Sequence, residues 1–284
     1  MNHILVNLFL VTFCFISSLF RIVSLGDDRL NREHPLAKAS LSQRFTGWLV
    51  HTFTASGACI GLLAMLAIYQ TNLTKALWLM GATILIDAVD GMFARRANVK
   101  VVVPEIDGVL LDNIVDFFNY TIVPGFFLLV TNLLPAGWSI IGVMGMTLAS
   151  AYQFTQIDAK TEDHFFKGFP SYWNIVVFYL FFWQMNPIIN LCILVGLSLL
   201  SFVPIKFVYP SRMEYLTRNG VLKLLMMIFT LVWGAATFGL LWLYPKSNDF
   251  LVSICLAYGA IYILISLYRT FFPLPTFELA TDDC

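Results

Sequence analysis

Four aspartates carry the chemistry this sequence can do. Asp87 and Asp90 stand three residues apart at the end of one apolar run, Leu85-Ile86-Asp87-Ala88-Val89-Asp90-Gly91. Asp112 and Asp116 stand four apart near the start of the next, Gly108-Val109-Leu110-Leu111-Asp112-Asn113-Ile114-Val115-Asp116. On helices each pair shares one face, and the intervening loop lets two antiparallel helix ends bring all four together. A charge inside an apolar helix costs ~2.5–3.5 kcal/mol on insertion scales, so each needs a partner or a function. Converging carboxylates without matching cations cannot all stay ionised at close range unless another charge compensates them. A divalent metal does so. Hard oxygen ligands, with no His or Cys beside them in the sequence, favour Mg²⁺ or Mn²⁺ over zinc or copper. Four of them suit a pair of ions that also grips a phosphate or pyrophosphate. Arg95, Arg96 and Lys100 lie just beyond, and Gly91 and Gly108 let a phosphate approach the backbone closely.

The elements that must position these residues are membrane helices. Of 284 residues, 59% are apolar and 12% charged, and the mean hydropathy is +0.79. A soluble chain is about one quarter charged, so this composition excludes an ordinary soluble enzyme, a disordered segment and a coiled coil. Seventeen basic residues balance seventeen acidic ones, which leaves no argument for a nucleic-acid binder. The five cysteines have no paired spacing and read as small hydrophobes. A spanning helix needs ~20 mostly apolar residues. Nine segments qualify: roughly 4–25, 46–70, 74–91, 106–132, 136–157, 171–186, 188–204, 221–244 and 250–272, the sixth and seventh divided by the Asn186-Pro187 turn.

Lysine and arginine set the orientation. Alternate loops carry Arg29, Arg32, Lys38 and Arg44; Arg95, Arg96 and Lys100; Lys160 and Lys167; and Lys206, Arg212 and Arg218, whereas the intervening loops offer Lys75 and Lys246. The basic face is cytoplasmic, so 46–272 forms eight spans with both ends and all four aspartates on that side. The first segment reads as an uncleaved anchor, because a basic loop follows it directly. Leu30, Ala37, Leu41, Phe45 and Trp48 then suit a helix in the cytoplasmic interface, with a solvated linker as the alternative. The expected architecture is all-α: a polytopic membrane bundle of eight core helices plus an N-terminal anchor, divided as 1–45, the domain 46–272 and a tail 273–284.

The pattern Asp87-x-x-Asp90-Gly91-x-x-Ala94-Arg95 followed by Gly108-x-x-x-Asp112-x-x-x-Asp116 resembles the signature of the CDP-alcohol phosphatidyltransferases. One difference is the loop: twelve residues, Arg96 to Asp107, stand where the family usually has eight. Outside the motif, His51-Thr52-Phe53-Thr54-Ala55, Thr161-Glu162-Asp163-His164-Phe165-Phe166-Lys167-Gly168-Phe169-Pro170 with Trp173-Asn174, and Phe202-Val203-Pro204 with Tyr209-Pro210-Ser211-Arg212 are similar to the bacterial phosphatidylcholine synthase branch, over most of the chain after about residue 45.

The resemblance implies transfer of the phosphatidyl group from CDP-diacylglycerol to choline with release of CMP, supported by Mn²⁺ or Mg²⁺ as a pair of ions. It implies that Asp87, Asp90, Asp112 and Asp116 hold metal, that Asp116 is also the general base, and that Gly91, Ala94, Arg95 and Gly108 contact CDP. Lys100 joins them on charge alone. Choline keeps a trimethylammonium suited to aromatic faces. The candidates nearest the motif are Tyr120, Tyr152, Tyr172 and Trp173, with Asp158, Glu162 and Asp163 adding negative charge. Expected partners are the two substrates and membrane lipids, with no nucleic acid, and a homodimer is compatible with the class. The implied location is the bacterial inner membrane, with the site on the cytoplasmic face. Inositol, serine or glycerol phosphate are alternative acceptors. From a different class, a transporter would also hold intramembrane carboxylates, but with inverted repeats or mid-span breaks.

Overall fold

The computed structural model describes residues 39–161, 165–208, 220–246 and 248–272. Ser40 caps α1 (Leu41–Tyr69) through a capping box with Gln43, and Asn72 accepts from the Lys75 N–H at the start of α2 (Leu73–Arg96). A single turn, α3 (Val99–Val102), follows, and Asp107 accepts from the Val109 and Leu110 N–H groups to open α4 (Gly108–Phe117). This helix runs through a π turn, Phe118–Ile122, into α5 (Val123–Val130). Pro124 has no N–H to give a carbonyl four residues back, and the Val123 N–H bonds instead to the Phe118 carbonyl five residues back, which widens the turn. Then come α6 (Ser139–Thr155), β1 (Phe165–Lys167), α7 (Trp173–Trp183), α8 (Pro187–Leu200), β2 (Lys206–Val208), α9 (Gly220–Leu243) and α10 (Asp249–Phe271).

Among the described residues, five helical stretches are long and apolar enough to cross a membrane: α1, α2, the rod Gly108–Val130, α9 and α10. The chain is a mostly helical, multi-pass membrane protein. All eight expected core segments contain a helix, but α6, α7 and α8 have 17, 11 and 14 residues, short of the ~20 a span needs. Local chemistry stops them. Gln184 adopts the left-handed conformation at φ 46° and ends α7, and Asn186 restarts the chain by accepting from the Ile188 N–H, with Pro187 in the first turn of α8. The first core span begins at Leu41, so Leu41 and Phe45 belong to it rather than to a separate interfacial helix. The segment expected as an anchor over 4–25, the basic residues up to Lys38 and the tail 273–284 lie outside the described residues.

Helix α1 carries the packing. Its buried residues Gly47, His51, Thr54, Gly57, Gly61, Ala64 and Ile68 recur at intervals of three and four, a small-residue face that admits close neighbours. That face meets α2, α4, the π turn and α5. A Cβ at Gly61 would stand 2.1 Å from Asn119 Oδ1 and 2.9 Å from the Phe118 ring, so only glycine lets the π turn approach. The opposite face exposes Leu62, Leu63 and Leu66, as lipid contact requires. Trp173, Phe127, Leu180 and Met146 are fully buried at the centre of the bundle. Strands β1 and β2 pair antiparallel with Phe166 opposite Phe207, and β2 is tied to α10 by the Lys206 N–H on Thr270 Oγ1 (2.8 Å) and by the Tyr262 hydroxyl donating to the Val208 carbonyl (2.9 Å).

Gly61→Ala should therefore cost about 1–3 kcal/mol, the range for overpacking a filled site. Gly145→Ala, where an added Cβ meets nothing within 4 Å, should leave stability unchanged or higher. Thermal unfolding of both variants in the same detergent checks this, and equal midpoints would refute the close approach of α1 to the π turn.

Candidate active site

The two aspartate pairs meet where α2 ends and α4 begins. Asp87, Asp112 and Asp116 each offer a carboxylate oxygen, and the three oxygens lie within 4.8 Å of one another, so the group could hold a metal ion. The Asp87 and Asp116 carboxyls are within hydrogen-bonding reach of each other. Asp90 stands one turn further along α2, outside this group of three. It is only 6% exposed, with the Thr54 side chain of α1 as its hydrogen-bonding partner, and it feels the charges of Asp112 and Asp87. The donor set is hard oxygen on half-buried acids, the chemistry that Mg²⁺ or Mn²⁺ requires.

An aromatic wall rises beside Asp87. Tyr120, in the π turn, donates its hydroxyl to Asp87 Oδ2 at 2.6 Å and is 7% exposed. Its ring meets the edge of Tyr172 at a centroid distance of 6.2 Å, and Tyr172 meets Phe166 of β1 at 5.9 Å. Over Phe166, at 6.0 Å from its centroid, lies the Lys160 ammonium, close enough to interact electrostatically with Asp87, Asp112 and Asp116. The arrangement gathers excess negative charge, one ammonium and aromatic faces at one end of the bundle. It is suited to grip a phosphate through metal and to lay an organic cation against a ring.

No family model matches the chain. It is 51% identical over 236 residues to the phosphatidylcholine synthase of Legionella pneumophila, covering 83% of this chain and 92% of that protein. The phosphatidylcholine synthase of Legionella bozemanae is 49% identical over 217 residues, its whole length and 76% of this chain. The chain belongs to the phosphatidylcholine synthase family. A third member, from Borreliella burgdorferi, is 43% identical over 171 residues, 60% of this chain and 73% of that protein. Membership agrees with the CDP-alcohol phosphatidyltransferase motif read from the sequence.

The structure separates the remaining candidates. Arg95 folds back along α2, its Nη1 3.3 Å from where a Cβ on Gly91 would lie, so this guanidinium and Gly91 share one patch. Ala94 is half-buried against Val50, Phe93 and Val99, whereas Arg95 and Lys100 are exposed. Gly108 packs on His51, whose Cε1 would be 3.1 Å from an added Cβ. Tyr120 and Tyr172 come to the aspartates. Trp173 belongs to the core: it is fully buried, donates Nε1–H to Ser150 Oγ at 2.7 Å and packs on Phe169. Tyr152 stacks on Phe202 at 4.8 Å and lines a separate cavity of about 280 Å³ with Gln156, Lys167 and Ser201. Asp158 pairs with Lys167 at 2.5 Å and accepts from Gln156 Nε2, contacts that hold its carboxyl below the usual carboxylate range and raise the Lys167 ammonium. Glu162 and Asp163 lie outside the described residues.

For four residues near the aspartates the sequence offers no role at the site: Lys160 bears only on the orientation of the chain, and Phe166, Thr54 and His51 are only parts of the segments that carry the resemblance. His51 is buried, and its Nε2 has no hydrogen-bond partner among the described residues. Intervals of three link His51 to Thr54 and Thr54 to Gly57 along the α1 face. That spacing was legible, but nothing in it said that Asp90 would stand opposite.

The Tyr120–Asp87 bond should be measurable as a coupling. In a double-mutant cycle of Tyr120→Phe and Asp87→Asn, followed by unfolding in micelles, the interaction energy should be about 1.5–3 kcal/mol, the value of a hydrogen bond to a charged group. Strictly additive losses would show that the two side chains do not act together.

Proposed function

We propose that this protein transfers the phosphatidyl group of CDP-diacylglycerol to choline, giving phosphatidylcholine and CMP, at the cytoplasmic face of a bacterial inner membrane. The observation that carries the reading is the convergence of the Asp87, Asp112 and Asp116 oxygens within 4.8 Å beside the Tyr120–Tyr172 ring pair. The family name of the relatives supports the product, and the excess of Lys and Arg on the loops at the aspartate end supports the cytoplasmic placement.

In this reading Asp87, Asp112 and Asp116, with Asp90 beside them, hold Mn²⁺ or Mg²⁺. When bound, the ions neutralise the donor's pyrophosphate and the charge that develops on departing CMP. The protein's own groups do the rest. Asp116 takes the proton of the choline hydroxyl as the choline oxygen attacks the phosphorus that bears diacylglycerol. The bond from that phosphorus to the oxygen of the CMP phosphate breaks, and CMP leaves with the electron pair. Tyr120 holds the Asp87 carboxylate in place throughout. Gly91, Ala94, Arg95 and Gly108 line the nucleotide side, with Lys100 at its margin. The face of Tyr172 meets the trimethylammonium, which cannot donate a hydrogen bond and gains ~0.5–2 kcal/mol from each aromatic contact. Exclusion of water by buried Tyr120 and its neighbours keeps hydrolysis of the donor from competing.

Chelation should abolish choline-dependent CMP release, and added Mn²⁺ or Mg²⁺ should restore it. Asp116→Asn should lower kcat by about 10²–10⁴-fold, the range for a lost general base, while the purified variant still binds CDP-diacylglycerol. Asp87→Asn and Asp112→Asn should weaken Mn²⁺ binding itself, followed by the ion's paramagnetic resonance. Full activity in any of these variants would sink the shared site.

The acceptor has its own test. Tyr172→Ala should raise the KM for choline about 2- to 30-fold, the cation–π range, with little change in the KM for CDP-diacylglycerol. Faster incorporation of labelled inositol or serine than of choline by the wild-type protein would overturn the choline assignment.

A further inference from the structure

We propose that Lys160 is a further substrate-binding catalytic residue, whose ammonium contacts the non-bridging oxygens of the phosphate that moves with diacylglycerol. The inference deepens the phosphatidyl-transfer reading and rests on it.

The backbone around Lys160 is built to hold it still. After α6 the chain turns at Asp158, which is anchored by Lys167 Nζ at 2.5 Å and Gln156 Nε2 at 2.8 Å. It then runs back along β1: the Lys167 N–H donates to the Ala159 carbonyl (2.9 Å), Lys160 bridges Phe166, and the Thr161 N–H donates to the Phe165 carbonyl (2.8 Å). The Phe165 N–H in turn donates to Thr161 Oγ1 at 3.0 Å. A surface lysine on a free loop has no such frame. The side chain of Lys160 crosses the Phe166 ring, and that ring is joined through Tyr172 and Tyr120 to Asp87. Lys160 therefore stands at the far end of the aromatic wall from Asp87, within electrostatic reach of the three aspartates.

Charge decides what it meets there. Choline is a cation, and an ammonium beside it gains nothing from it. The anionic substrate carries two phosphates. The nucleotide side is supplied with cations by α2 and the turn after it, through Arg95 and Lys100. Lys160 comes instead from the segment that leads into β1, over the Phe166 ring beside Tyr172, where the acceptor stands in the proposed reaction. A cation on that side reaches the oxygens of the phosphorus under attack rather than the phosphate that leaves with CMP. As that phosphorus changes partners, charge spreads over its non-bridging oxygens, and a fixed ammonium there favours the transition state.

The test uses the full-length wild-type protein with Lys160→Met and Lys160→Arg in detergent-lipid micelles with saturating Mn²⁺. Lys160→Met should lower kcat/KM for CDP-diacylglycerol by about 10²-fold, the loss typical of one preorganised charge-stabilising group, and Lys160→Arg should keep most of it. The KM for choline should stay level or fall. The inhibition constant of CMP should be unchanged, because CMP lacks the phosphate that Lys160 contacts. Structural damage would instead move all three constants together. Wild-type values in Lys160→Met, a rise confined to the KM for choline, or a parallel weakening of CMP would each overturn the proposal. Absence of choline-dependent CMP release in the wild-type protein would remove the phosphatidyl-transfer reading itself.

Discussion

The repulsion between carboxylates that share the end of two apolar helices is the constraint on which the structure turns. Three oxygens within 4.8 Å, with Asp90 a turn away, are unfavourable in any medium of low polarity unless something positive or hydrogen-bonding answers them. The protein answers from several directions. Tyr120 donates to Asp87, Thr54 stands against Asp90, and Lys160 faces the cluster from the loop that leads into β1. None of these is on the helices that carry the aspartates except Tyr120, which sits in the π turn after α4.

Tyr120, four residues after Asp116, continues the face of Asp112 and Asp116 that meets Asp87, and it donates to Asp87 Oδ2 from within the π turn Phe118–Ile122. A bulge needs room, and α1 supplies it with Gly57 and Gly61. Asn119 Oδ1 occupies the space a side chain at 61 would take. A glycine in one helix thus makes room for the turn whose Tyr120 bonds a carboxylate on another.

The longer loop between the two halves of the motif is spent on closing the same end. Its turn α3 buries Val99 and Val102, with Val103 next to them, and Val103 fills the position where Gly47 has no side chain. Arg44 on α1 pairs with Glu105 across the loop. The exposed ion pair adds little by itself, whereas the buried valines keep the loop against α1 and leave Lys100 on the outer surface. The extra residues lengthen the cover over α1 without entering between the aspartates.

The helix positions and the sharing of a face within each aspartate pair were determined by the sequence alone, because both follow from apolar runs and from intervals of three and four. The transferase class came as an expectation from the resemblance of the Asp87 to Asp116 pattern to a family signature, because acids in apolar helices by themselves would also suit a transporter. Span length was less legible: an apolar run records where lipid is tolerated, but Gln184 and Pro187 end helices within such runs. Only the tertiary structure decided which aromatics reach the acids. Tyr152, Tyr172 and Trp173 look alike in composition and spacing, yet Trp173 is spent on the core and Tyr152 on Phe202, because contacts across tens of residues depend on how helices cross. The same holds for Asp90, about 60° around α2 from Asp87 and so turned toward Thr54, and for Lys160, whose nearness to Asp87 comes from a β pairing that no periodicity announces.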